Sequence, residues 1–160
     1  MGSKLAFETK ALVGIEAMWK AITKDKLKVL SDSASHLVSE SRFLEGDEIA
    51  LGSVVFISFG PALPHLEPFS EKVVEFDETS HTLSFLGISG GYMNRGFAKY
   101  VVTFVLGDDG DEKTLVTSTI IYDLKENVVD RESLLTEFAK VLRDYLQCVE
   151  SHLLKNTSAA

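Results

Sequence analysis

Apolar residues recur along this chain with two different periods, and the places where one period gives way to the other divide it into elements. Lys4 to Leu12 alternates and reads as a strand. Val13-Gly14 turns it into Ile15–Ile22, where apolar positions three and four apart predict a helix. Lys24-Asp25 breaks that helix, and a second short one runs through Leu30. Ser35 to Leu44 predicts a strand that stops at the turn signal Glu45-Gly46-Asp47. Five more strands follow, at Ser53–Phe59, Glu67–Phe76, His81–Ile88, Arg95–Leu106 and Lys113–Asp123. Turn chemistry separates them: Gly60-Pro61, Asp77-Glu78-Thr79-Ser80, Gly90-Gly91 and Gly107-Asp108-Asp109-Gly110. Short connections of this kind join antiparallel neighbours. The last segment changes period again: Leu134, Phe138, Val141, Leu142, Tyr145, Val149 and Leu153 form one stripe of a helix from about Asp130 to Leu154.

These elements predict an α+β fold, a seven-stranded antiparallel sheet with two short helices after strand one and one long C-terminal helix. Six or seven strands at about 4.8 Å spacing make a sheet near 30 Å wide, whereas one helix is about 10 Å across. The sheet must therefore curve around the helix. Whether curling closes the gap with side chains or leaves a cavity is open at the level of pattern.

Composition narrows the function. The 160 residues suit a single domain spanning 1–160, with an ordered part at about 4–154 and a polar tail at 155–160. A net charge of -8 without clustered Lys and Arg excludes a nucleic-acid surface. No stretch approaches the roughly 20 apolar residues of a membrane helix. Cys148 is the only cysteine, so no disulfide forms within the chain, and a reduced compartment is expected: the cytoplasm, with the nucleus open to diffusion. Asn156-Thr157-Ser158 matches a glycosylation acceptor but reads as tail. His36, His65, His81 and His152 lie in separate elements without partners at ligand spacing, so neither a metal nor another cofactor is expected.

One carboxylate stands out. Glu71 is flanked at two-residue spacing by Phe69 and Val73, which puts the three on one strand face. If that face looks inward, burial raises the carboxyl's pKa and makes it an anchor for a ligand N–H or a general acid or base. If it looks outward, Glu71 pairs with a surface lysine. Tyr100 shares a face with Val102 and Phe104, and Tyr122 stands near the end of the next strand. Each is read either as a ligand-facing hydroxyl or as a core aromatic. Leu83, Phe85, Phe138 and Leu142 are cavity wall or plain core. Cys148 and Trp19 read as packed side chains.

In this order and spacing, Leu44-Glu45-Gly46-Asp47, Phe76-Asp77-Glu78-Thr79-Ser80-His81 and Gly90-Gly91-Tyr92 resemble the major birch pollen allergen and pathogenesis-related class-ten family of plants, over essentially Lys4 to Leu154. The segments look closest to its cytokinin-binding branch and to norcoclaurine synthase. The resemblance implies a helix-grip fold around a large cavity and a hydrophobic ligand such as a cytokinin, flavonoid or alkaloid precursor. It also implies Glu71 as the polar site residue, since both branches use a glutamate there. Ligand contacts are then expected from Glu71, Phe69, Leu83, Phe85, Tyr100, Val102, Tyr122, Phe138 and Leu142.

Two departures matter. The family's glycine-rich loop is replaced by Gly46-Asp47-Glu48-Ile49-Ala50-Leu51-Gly52, one residue longer and short of two glycines, and its acids repel a phosphate. The synthase's tyrosine, lysine and aspartate fall at Phe69, Leu83 and Val102, so its condensation is not expected, and any catalysis would rest on Glu71 alone. A third branch, the abscisic-acid receptors, closes a gate loop and docks a phosphatase. The loop Gly60-Pro61-Ala62-Leu63-Pro64-His65 is only loosely similar to that gate, and the receptor latch has no match around Tyr92–Arg95. The expectation is a carrier, monomeric or weakly dimeric, whose partner is a small hydrophobic molecule.

Overall fold

A computed structural model describes residues 2–158. The chain runs β1 (Ser3–Ala11), α1 (Ile15–Ile22), α2 (Lys26–Ser33), β2 (Val38–Glu45), β3 (Val54–Phe59), β4 (Phe69–Asp77), β5 (Thr82–Gly90), a 3-10 turn (Gly91–Arg95), β6 (Phe97–Asp108), β7 (Thr114–Leu124) and α3 (Arg131–Ser158). The strands form one curved antiparallel sheet in the order β1-β7-β6-β5-β4-β3-β2. β2 to β7 is a meander, and β1 closes onto β7 in unbroken register from Ser3↔Tyr122 to Ala11↔Thr114.

α1 forms where expected because Met18, Trp19, Ala21 and Ile22 make one buried face, with Glu16 in the first turn and Lys20 in the last suiting the helix dipole. It ends at Thr23, whose hydroxyl donates to the Trp19 carbonyl at 2.7 Å. α2 buries Lys26, Val29 and Leu30. α3 begins at Asp130, whose carboxylate accepts from the Ser133 N–H at 3.0 Å and the Ser133 hydroxyl at 2.8 Å. Those bonds hold the Asp130 carboxyl below the usual carboxylate range.

The boundaries differ from the sequence expectation in identifiable ways. β2 starts three residues late because Ser35–Leu37 belong to a turn in which the Ala34 carbonyl accepts from both Leu37 and Val38 N–H. α3 does not stop at Leu154 but continues to Ser158 through part of the expected tail: Lys155 complements the C-terminal dipole and Asn156 Nδ2 reaches His152 Nε2 at 3.2 Å. Residues 159–160 of that tail lie outside the described residues.

One end of the sheet's concave face is filled. Trp19 packs on Phe76 with ring centroids 5.6 Å apart, Phe76 pairs across to Leu83, and Leu83 pairs on to Phe104. From there Val116, Ile120, Leu146 and Val149, all at most 1 % exposed, continue the core between β7 and α3. At the other end the packing opens.

Candidate functional site

Glu71 is placed by an irregularity in β4. Against β5 the register shifts between Ser70 and Glu71, and again between Val73 and Glu75. Strict alternation would expose one of Ser70 and Glu71; the shift buries both, at 8 % exposure each. Opposite Glu71 in β5 stands Gly87. A Cβ there would lie 2.4 Å from Cζ of Tyr100, so the missing side chain is what lets the Tyr100 ring cross β5 toward Glu71. The ring is locked edge-on to Phe138 and Phe97, at centroid distances of 5.1 and 5.7 Å.

Glu71, Tyr100 and Lys26 line one cavity between the sheet and α3. Its wall is otherwise apolar or aromatic, including Phe59, Phe69, Phe85 and Val102 from the strands and Phe138, Leu142 and Tyr145 from α3. The cavity volume is about 90 Å³. That is narrower than the large cavity the resemblance implied, because aromatic rings meet across it. Phe59 stacks on Phe69 at 5.1 Å and Tyr92 on Phe138 at 4.7 Å.

The electrostatics of the cavity follow from burial. Desolvation pushes the Glu71 carboxyl above the usual carboxylate range, and the Lys26 charge only partly opposes it. Among the described residues nothing hydrogen-bonds to that carboxyl, and no ion pair joins it to Lys26. Burial, with the Glu71 charge second, pushes the Tyr100 hydroxyl far up, so it remains a neutral donor. Lys26 Nζ donates to the Tyr145 hydroxyl at 3.1 Å and lies 4.4 and 4.8 Å from the ring centroids of Tyr145 and Phe85.

At the mouth, the 60–66 loop and the 3-10 turn are tied to α3 through Glu137. Tyr92 Oη donates to Glu137 Oε2 at 2.7 Å, and His65 Nε2 lies 2.8 Å from the same oxygen. Arg95 donates to the His65 carbonyl, and Asn94 Nδ2 to Glu67 Oε2 at 2.7 Å. Partial burial works to raise Glu137, but the Tyr92 and His65 hydrogen bonds and the charges of His65 and Arg95 outweigh it and hold the carboxyl below its ordinary range. Leu63 carries the loop's contribution to the cavity wall.

Of the residues singled out in the sequence, Glu71, Phe69, Phe85, Tyr100, Val102, Phe138 and Leu142 line the cavity. Leu83 and Tyr122 do not. Leu83 is fully buried one step toward the filled end, beside Phe76. Tyr122 packs edge-on against Phe97, which stands between it and the free space. The histidines take separate partners: His65 meets Glu137, His81 meets Glu16 at 2.9 Å, His152 meets Ser33 at 2.7 Å, and His36 Nε2 lies 3.8 Å from Cys148 Sγ. Among the described residues no three potential metal ligands gather.

A grip of seven strands on one helix around such a cavity has known counterparts, and residues 1–156 match the pathogenesis-related protein Bet v 1 family. The chain belongs to the Bet v 1 family. Pathogenesis-related protein A of Petroselinum crispum is 28% identical over 158 residues, covering 96% of this chain and 97% of that protein. Norbelladine synthase of Narcissus pseudonarcissus is 21% identical over 127 residues, 79% of this chain and 77% of that protein. The structure of norcoclaurine synthase from Thalictrum flavum in complex with dopamine and hydroxybenzaldehyde superposes with a TM-score of 0.75 at 19% identity, covering 97% and 88% of the two chains; at that identity the likeness is one of fold.

Within this Bet v 1 fold the charged residue that sequence reasoning missed is Lys26, and the wall residues Phe59, Tyr92 and Tyr145 were missed with it. The resemblance put the synthase lysine at Leu83, which lies outside the cavity, whereas a lysine enters it from α2. The signal was present: Lys26, Val29 and Leu30 have the three-and-four spacing of a buried helix face.

Proposed function

We propose that the chain is a carrier that holds a small, mostly apolar molecule between sheet and helix, oriented by Glu71 with the Tyr100 hydroxyl beside it. Members of its family bind small hydrophobic ligands. The observation that carries the reading is a carboxyl with no hydrogen-bond partner among the described residues, in a cavity whose other polar side chains are Lys26 and three tyrosines and whose remaining wall is apolar. A buried acceptor left unmade costs about 1–3 kcal/mol, which a ligand N–H or O–H recovers. Apolar walls then supply affinity and the polar pair supplies orientation. Within that class we take planar plant metabolites of cytokinin, flavonoid or alkaloid type as the guests, with the Phe59, Phe69 and Phe138 rings of the wall as their apolar contacts. We assign the protein to the cytoplasm as a single ligand-binding domain, serving storage, transport, signalling or defence. No helix among the described residues is long and apolar enough to cross a membrane.

A second reading is weak catalysis with Glu71 as acid and base, favoured by the raised carboxyl pKa and by the likeness to norbelladine synthase. One such group contributes roughly 10²–10⁴-fold.

Glu71→Gln separates the two, read by native mass spectrometry of the protein from its source tissue and by titration of the molecule that co-purifies. A carrier keeps most of its affinity, since the amide still offers an acceptor. An enzyme keeps binding and loses turnover. A Glu71→Leu variant, which removes the acceptor altogether, that still matched wild type in both would remove Glu71 from the site.

A further inference from the structure

Lys26 gives the cavity a feature that an apolar ligand alone does not explain. The residue is 5 % exposed, and its ammonium carries three N–H donors. One is spent on the Tyr145 hydroxyl. Around the rest stand the faces of Phe85 and Tyr145, and among the described residues no carboxylate lies within ion-pair distance. Ring faces attract a cation but do not neutralise it. The nearest carboxyl that could do so, Glu71, sits in the same cavity without touching it. A buried charge is costly until it is paired. Lys26 is also held in place: it opens α2 directly after the turn at Asp25, while Tyr145 holds its head from α3.

We propose that the ligand is an acid, a mostly apolar molecule whose carboxylate is received by Lys26 Nζ at the α2 side of the cavity while its apolar body lies along Phe85, Val102 and Phe138. This rests on the carrier reading and names its ligand class. Glu71, across the cavity, meets a hydrogen-bond donor on the same molecule when one is present. An ionised Glu71 would repel that carboxylate, so the ammonium and not the glutamate is its assigned partner.

The test uses the full chain and matched probes that differ only in charge: phenylbutyrate against phenylbutyramide, and decanoate against decanamide, each titrated calorimetrically. Wild type should bind the acids at least about tenfold more tightly than the amides, the order set by a charge-assisted hydrogen bond in a dry site. Lys26→Met, which keeps the apolar stem, should abolish that preference, so that acid and amide of each pair bind alike. Tyr145→Phe keeps the ring and removes the hydroxyl that aims the amine, and should lower acid affinity selectively; it stands in should Lys26→Met fold poorly. Amides binding as well as acids, or an acid preference that survives Lys26→Met, would overturn the inference while leaving the carrier reading intact. If neither acids nor amides bind wild type, both fall.

Discussion

Gly87→Ala tests how the site is assembled. The added methyl would sit 2.4, 2.5 and 2.8 Å from Cζ, Cε2 and Oη of Tyr100, where ordinary contact begins at 3.4 Å. The ring must therefore retreat by about 1 Å (3.4 less 2.4). It has nowhere free to go on the core side, since Phe138 and Phe97 already meet it edge-on. The retreat therefore carries the hydroxyl away from Glu71 or strains β5. Overpacking of this kind costs about 1–3 kcal/mol. Urea denaturation of wild type, Gly87→Ala, Tyr100→Leu and the double variant forms a cycle. The expected result is a Gly87→Ala loss of that size that shrinks by at least half in the Tyr100→Leu background, where the ring is gone. A Gly87→Ala protein as stable as wild type, or a loss unchanged by Tyr100→Leu, would refute the claim that the glycine exists to seat the tyrosine.

Two further outcomes concern pH. The Glu71 carboxyl is raised on folding, so the native state holds its proton more tightly, and the stability this gives is fully present below the ordinary carboxylate value and lost as pH rises through the raised one. Glu71→Gln lacks that slope, so its urea midpoint relative to wild type should climb as pH rises above the ordinary carboxylate value; a difference independent of pH counts against a desolvated carboxyl. Glu137 has the opposite sign: its lowered carboxyl adds stability above the ordinary value and loses it as pH falls through the lowered one. Tyr92→Phe, which removes a bond to this half-exposed group, should cost under about 1 kcal/mol near neutral pH and nothing in acid, by thermal melts at both.

Much of the fold was legible because period and turn chemistry agree. The spacing of Ile15–Ile22 marked α1 residue for residue. Strand ends moved by one to three residues where backbone bonds in turns, such as those onto Ala34, took up residues with strand-like composition. Alternation left the face of Glu71 open and only the resemblance turned it inward; neither showed the register shift that buries Ser70 beside it. Leu83 and Tyr122 were placed on the correct sheet face and still fall outside the cavity, because depth along a strand depends on what packs above it, here Trp19 on Phe76 and Phe97 over Tyr122. Lys26 was hidden for another reason. Lysines are almost never fully buried unless paired, and the hydroxyl that holds this one is 119 residues away.

β1 and β2 are the two outer strands of the sheet, yet they are consecutive strands in the chain. α1 and α2 therefore make a strap from rim to rim across the open side, resting on α3. Lys26 rides on that strap, while Glu71 rides on the sheet beneath it. Any breathing that spreads the rims to admit a guest lengthens the gap between the lysine and the glutamate, and any closure shortens it. The width of the opening and the electrical character of the interior are thus one mechanical coordinate.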